Sequence, residues 1–174
     1  MRNEMNWIMC DGGPHILMES KFLEIWKGES DEAYQESVRY YEQACSIDGY
    51  IGELNIGSGK CIIIADDMSS STWISNGDAN GTIVVCNYMD EEITYDVLTT
   101  EINKIPNCKY DDTGLIYNVS DKELYLLSAC DFGAGWIYNY CKLNLMPGNY
   151  KIRMIEEYIC HNCSFRLFNF NLED

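Results

Sequence analysis

Apolar and polar residues alternate along much of this chain in short runs bounded by turn formers. Leu115/Tyr117/Val119, Leu143/Leu145, Tyr150/Ile152/Met154 and Phe168/Phe170/Leu172 place apolar side chains at every second position, the period of an antiparallel strand with one buried face. Near the start, Trp7-Ile8-Met9-Cys10 and His15-Ile16-Leu17-Met18 flank Asp11-Gly12-Gly13-Pro14, which marks a sharp chain reversal. Tyr50 to Ile56 and Lys60 to Ala65 lie on either side of Gly57-Ser58-Gly59, a hairpin signature. Thr72-Trp73-Ile74-Ser75 and Thr82 to Tyr88, joined through Asn76 to Gly81, predict a second hairpin with a longer tip. Met146-Pro147-Gly148-Asn149 predicts a type II turn between two late strands.

Helical spacing is confined to three places. Ser20 precedes a stretch in which Phe22, Ile25 and Trp26 share a helical face and Gly28 offers a left-handed stop. From Ser30, the acidic Asp31 and Glu32 suit a helix N-terminus, and Ala33, Tyr34, Val38, Tyr41 and Ala44 follow as one apolar stripe. The clearest pattern begins at Asp90, with Glu91 and Glu92 in the first turn and Ile93, Val97, Leu98 and Ile102 on one face before Pro106. With no βαβ rhythm and no internal repeat, the expected class is a mainly antiparallel α+β fold, with a β-sandwich carrying one or two appended helices as an architecture that fits.

The 174 residues suit a single domain spanning 1–174, long enough to bury a core. Hydrophobic types at 47% and charged types at 23% are those of a folding chain. Charge adds more: 12 Lys and Arg against 28 Asp and Glu leave a formal net charge of -16. Phosphate backbones are repelled by such a surface, and no basic run exists to displace their counterions, so direct nucleic-acid binding is not expected. A negative field instead speeds encounter with basic proteins. The longest apolar runs, such as Cys61 to Ala65, are strand-length and far below the roughly 20 residues that span a bilayer, so no membrane association is expected. Nine cysteines, an odd count, behind an N-terminus without an apolar signal core point to reduced thiols and a cytoplasmic location.

Candidate chemistry is sparse. His15 and His161 are the two histidines, and neither has marked partners for nucleophilic catalysis; the chain is not expected to be an enzyme. Cys160-His161-Asn162-Cys163 has the gap with which two thiolates grip zinc, but no second such pair completes a site. Cys160, His161 and Cys163 are therefore an alternative metal centre, beside the plainer reading of a reduced pair on adjacent strands. Asp66-Asp67, Asp111-Asp112 and Glu156-Glu157 are adjacent carboxylates without calcium-loop spacing. Gly52 to Gly59 lacks the lysine and hydroxyl of a phosphate loop, and no cofactor is expected. Trp7, Trp26, Trp73 and Trp136 suit core anchors, although Trp73 and Trp136 follow loops that a partner could reach.

Read in order, Trp7-Ile8 to Asp11-Gly12-Gly13-Pro14, Trp26-Lys27-Gly28 and Tyr41-Glu42-Gln43-Ala44-Cys45 resemble the opening of the Immunity protein 21 family. The resemblance continues through Asp48-Gly49-Tyr50-Ile51-Gly52, Ala65-Asp66-Asp67, Ser71-Thr72 and Leu145-Met146-Pro147-Gly148-Asn149-Tyr150, and so covers most of the chain. It implies a cytoplasmic protein of a bacterial polymorphic toxin system that binds its cognate toxin and brings no catalytic residues. With the acidic charge, it leads to the expectation of a stoichiometric inhibitor covering a basic active site or groove, for instance of a nuclease. The expected contact residues are Asp66 and Asp67, the run Asp90, Glu91 and Glu92, and Trp73 and Trp136. A small metal-binding or regulatory interaction domain unrelated to toxins is the rival.

Overall fold

The computed structural model describes residues 5–10, 12–29, 38–66, 69–131, 133 and 139–173. Strands β1 (Ile8–Met9), β5 (Ser70–Ser75), β6 (Asn80–Met89), β11 (Cys163–Leu172), β10 (Gly148–Cys160) and β7 (Asp111–Val119) form a six-stranded sheet in the order β1-β5-β6-β11-β10-β7. Strands β3 (Ile51–Ile56), β4 (Gly59–Ile64), β2 (His15–Glu19), β8 (Glu123–Ser128) and β9 (Tyr140–Asn144) form a five-stranded sheet in the order β3-β4-β2-β8-β9. Neighbouring strands are antiparallel throughout. The expected class, mainly antiparallel β with short helices, is what the chain adopts.

The sheets pack face to face because alternation gives each strand one apolar side. Leu17, Ile62, Ile64, Leu124 and Leu126 from the smaller sheet meet Ile83, Val85, Tyr150, Ile152, Phe168 and Phe170 from the larger one in a single buried cluster. The outer faces are covered as well. The short Ser20–Phe22 helical turn, Trp26 and α1 (Val38–Cys45) bury Ile16, Met18, Ile56, Ile63 and Leu127 on the smaller sheet. Helix α2 (Tyr95–Asn103) buries Leu98 and Ile102 against Val84, Phe165 and Leu167 on the larger one. A strand covered on both faces loses its polar phase, which explains why Ile16 to Met18 and Ile62 to Ile64 read as continuous apolar runs.

Several local expectations hold. The Gly57-Ser58-Gly59 hairpin joins β3 to β4, and the longer one joins β5 to β6. Gly28 takes φ 59, and a Cβ there would overlap the carbonyl oxygens of Cys130 and Asp131, so only glycine fits. Others change. Gly12-Gly13-Pro14 does not close a hairpin: β1 pairs with β5 and β2 with β4 and β8, so the segment carries the chain from one sheet to the other. Helix α2 starts at its cap Thr94, whose hydroxyl accepts from the Val97 amide at 3.4 Å, and not at Asp90. Gly148 lies at φ 155, away from the roughly +80° of a type II turn, because it already begins β10. Residues 30–37, the expected start of the second helix, lie outside the described residues.

Candidate partner-binding surface

The central strand β2 turns His15, Leu17 and Glu19 toward the inter-sheet space, so a buried polar residue sits at each end of the sandwich. At one end Glu19 accepts from the Ser120 amide at 3.0 Å, the Ser120 hydroxyl at 2.8 Å and the Asp121 amide, and pairs with Lys21 at 3.1 Å. That end is closed by its own hydrogen bonds.

The other end is built differently. His15 Nε2 donates to the Ile8 carbonyl at 3.1 Å, while Nδ1 has no partner. Burial holds the imidazole below its ordinary pKa, against the raising effects of that hydrogen bond and of Asp66. Beside it, buried Arg166 donates to Asp66, and its guanidinium lies 3.5 Å from the centre of the Tyr50 ring. The Tyr50 hydroxyl donates to Glu156 at 2.8 Å, and this bond raises its pKa.

Beyond this floor the larger sheet overhangs the smaller one. Register sets Tyr88 opposite Ser164 and Ser164 opposite Ile159, so the three lie in one row across β6, β11 and β10. Ser164 shares the Arg166 phase of β11, the phase that faces the smaller sheet, yet the row it belongs to is left open. Tyr88 is 58% exposed and Ile159 68%. Two carboxylates lie next to the row. A bulge between Ile155 and Tyr158 brings both Glu156 and Glu157 to this side, since Tyr50 reaches the first and the Ser164 hydroxyl donates to the second at 3.3 Å. Ordinary alternation would have sent them to opposite faces. Exposed Asp90, Glu91 and Glu92 follow directly from Met89, which is paired with Cys163 at the hairpin tip.

The residues singled out in the sequence divide accordingly. Asp90, Glu91 and Glu92 are exposed and follow the end of β6, where the chain turns toward α2. Asp66 is not free, being committed to Arg166. Trp73 is buried between the sheets, 7% exposed, with its ring 5.8 Å from Phe170 in an edge-on contact. Asp67 and Trp136 lie outside the described residues. Tyr88, Ile159 and the convergence of Glu156 with Glu157 were missed, because two bulges reset the phase that alternation would have predicted. Two large apolar residues next to polar ones near a hairpin tip were the available signal.

The Cys160 to Cys163 segment is a hairpin tip. His161 at φ 49 and Asn162 at φ 57 both take the left-handed conformation of a type I′ turn. Cys163 Sγ donates to the carbonyls of His161 and Glu91, and His161 Nε2 lies 3.5 Å from Glu101. Burial, then the nearby Glu101 carboxylate, raises the Cys160 thiol pKa, which disfavours the thiolate that binds metal. Among the described residues no group of three or more His, Cys, Asp or Glu is placed to hold a metal ion. None of the nine cysteines forms a disulfide.

An acidic β-sandwich with a part-apolar overhang flanked by carboxylates has the build of a protein-binding domain. The sequence matches the Immunity protein 21 family over residues 6–158, and the chain belongs to that family. Immunity proteins act against toxins and are generally not enzymes. No curated protein and no solved structure matches the chain. Among the described residues no helix is long and apolar enough to cross a membrane.

Proposed function

We propose that this chain neutralises a cognate toxin in the cytoplasm of the producing cell by binding it through the overhanging end of the larger sheet. The supporting observation is the exposed row of Tyr88, Ser164 and Ile159 with Glu156 and Glu157 beside it and the exposed Asp90, Glu91 and Glu92 following the end of β6. An aromatic and an aliphatic anchor with charged groups beside them is the composition of a binding centre. The excess of carboxylates selects a basic surface on the partner and accelerates encounter with it. A nuclease groove lined by Lys and Arg has that character, and a stoichiometric protein covering it would exclude the nucleic acid.

The test is co-expression of this chain with the toxin-like reading frame nearest to it, reading survival and recovery of a one-to-one complex. Survival with a complex is the expected result. Continued killing and no complex, with both proteins soluble, would overturn the reading.

A further inference from the structure

At the opposite end of the larger sheet, and on its opposite face, the covering helix stops short of the strand ends. The outer phase of β11 runs Phe165 and Leu167 beneath α2 and then changes to Asn169 and Asn171; β6 changes likewise from Val84 to Thr82 and Asn80. A cleft of about 270 Å³ opens over this change. Six asparagines line it: Asn76, Asn80, Asn103, Asn107, Asn169 and Asn171. Ile74, Ile102 and Ile105 supply an apolar wall, and among the described residues no charged side chain contributes to the lining. In a chain of net charge -16, an uncharged lining of this size is a local exception.

We propose that this cleft is a binding site for a neutral sugar ring. Each carboxamide offers donors and an acceptor side by side, the pattern that pairs with neighbouring hydroxyls. Part of that capacity is used internally: Asn169 donates to Thr82 Oγ1 at 3.1 Å, and Asn171 donates to Asn169 Oδ1. These bonds fix the floor and leave the Asn171 oxygen and the Asn80 carboxamide for a ligand. Of that wall, Ile105 is the part-exposed member and suits the C–H face of a pyranose, while Ile74 and Ile102 are held in the α2 core behind it. Phosphorylated or carboxylated ligands find no cation in the lining. A nucleobase finds no stacking platform, because Tyr110, the aromatic lining residue, is held in the α2 core at 9% exposure. The site lies away from the overhang, at the other end and on the other face of the sheet, so it does not rest on the proposed toxin-binding end.

The experiment titrates the full-length protein with glucose, galactose and N-acetylglucosamine in turn, following side-chain amide resonances by two-dimensional NMR. Adenosine and glucose 6-phosphate are run as discriminators. At least one neutral sugar should shift the Asn80, Asn169 and Asn171 amides saturably. The exposed-rim variant Asn107→Asp, which disturbs no buried contact, should weaken that binding several-fold, and Asn80→Asp should weaken it at least tenfold. No shift of these amides with any of the three sugars at millimolar concentration would overturn the proposal. So would shifts produced only by adenosine or only by the phosphorylated sugar.

Discussion

Arg166 donates from Nη1 to Asp66 Oδ2 across the open end of the sandwich, tying β11 to the residues that follow β4. Arg166 is only 8% exposed, and its Nε has no partner, so Asp66 is the charge that makes this burial tolerable. Asp66→Asn should destabilise the fold by about 3 kcal/mol, since it strands a buried cation. Replacing both residues with leucine should cost less than the single change. Urea unfolding of the two variants decides; a single variant within about 0.5 kcal/mol of the parent would show that the pair is solvated, as exposed pairs are.

His15 gives stability a dependence on pH. Its folded pKa is depressed, chiefly by burial, from the 6.5 of a free histidine. Below that value the unfolded chain takes up a proton that the folded chain refuses, so stability is lost as pH falls through 6.5 toward the folded pKa; above it there is no penalty. His15→Gln, which keeps a donor for the Ile8 carbonyl, should remove up to about 1.4 kcal/mol per pH unit from the slope of stability below about pH 6.5. An unchanged slope in urea titrations across that range would contradict the assignment.

Glu19 closes the other end as an acceptor for two backbone amides and the Ser120 hydroxyl. Glu19→Gln removes the charge and can turn an NH₂ toward those donors, at a cost of about 2 kcal/mol. Amide hydrogen exchange should quicken at Ser120 and Asp121 well before it does elsewhere. Exchange unchanged at both positions would mean that the turn is held by other contacts.

Trp73 rests on Gly81, where a Cβ would overlap the indole ring. Gly81→Ala should therefore move the ring off Phe170, destabilise the fold by about 2 kcal/mol and red-shift tryptophan emission. A variant with parental emission and stability would show that the indole has room to spare.

Much of this architecture was legible before the structure. Every strand predicted from clean alternation, such as Tyr150/Ile152/Met154 in β10, is present, because one buried face leaves a period of two. The Gly57-Ser58-Gly59 hairpin was legible for a similarly local reason. Sheet membership was not: Gly12-Gly13-Pro14 has reversal chemistry whether it closes a hairpin or crosses between sheets. Asp90 looked like a helix cap because acidic residues followed it, yet Thr94 supplies the hydroxyl that the Val97 amide needs. The overhang was hidden for a different reason. Bulges at Asn87 and at Glu156-Glu157 shift side chains by one position, and bulges leave no compositional mark. Trp73 followed a polar loop, as a contact residue does, but its strand phase points it inward.

The most direct measurement is the affinity of the complex with the cognate toxin, for the parent chain, for Tyr88→Ala and Ile159→Ala, and for the remote control Ile116→Ser, which is also exposed. Each overhang substitution should weaken binding at least tenfold, about 1.4 kcal/mol or more, and the control should leave it within about twofold. Overhang variants that bind like the parent, with folding intact, would contradict the placement of the toxin on this end of the sheet.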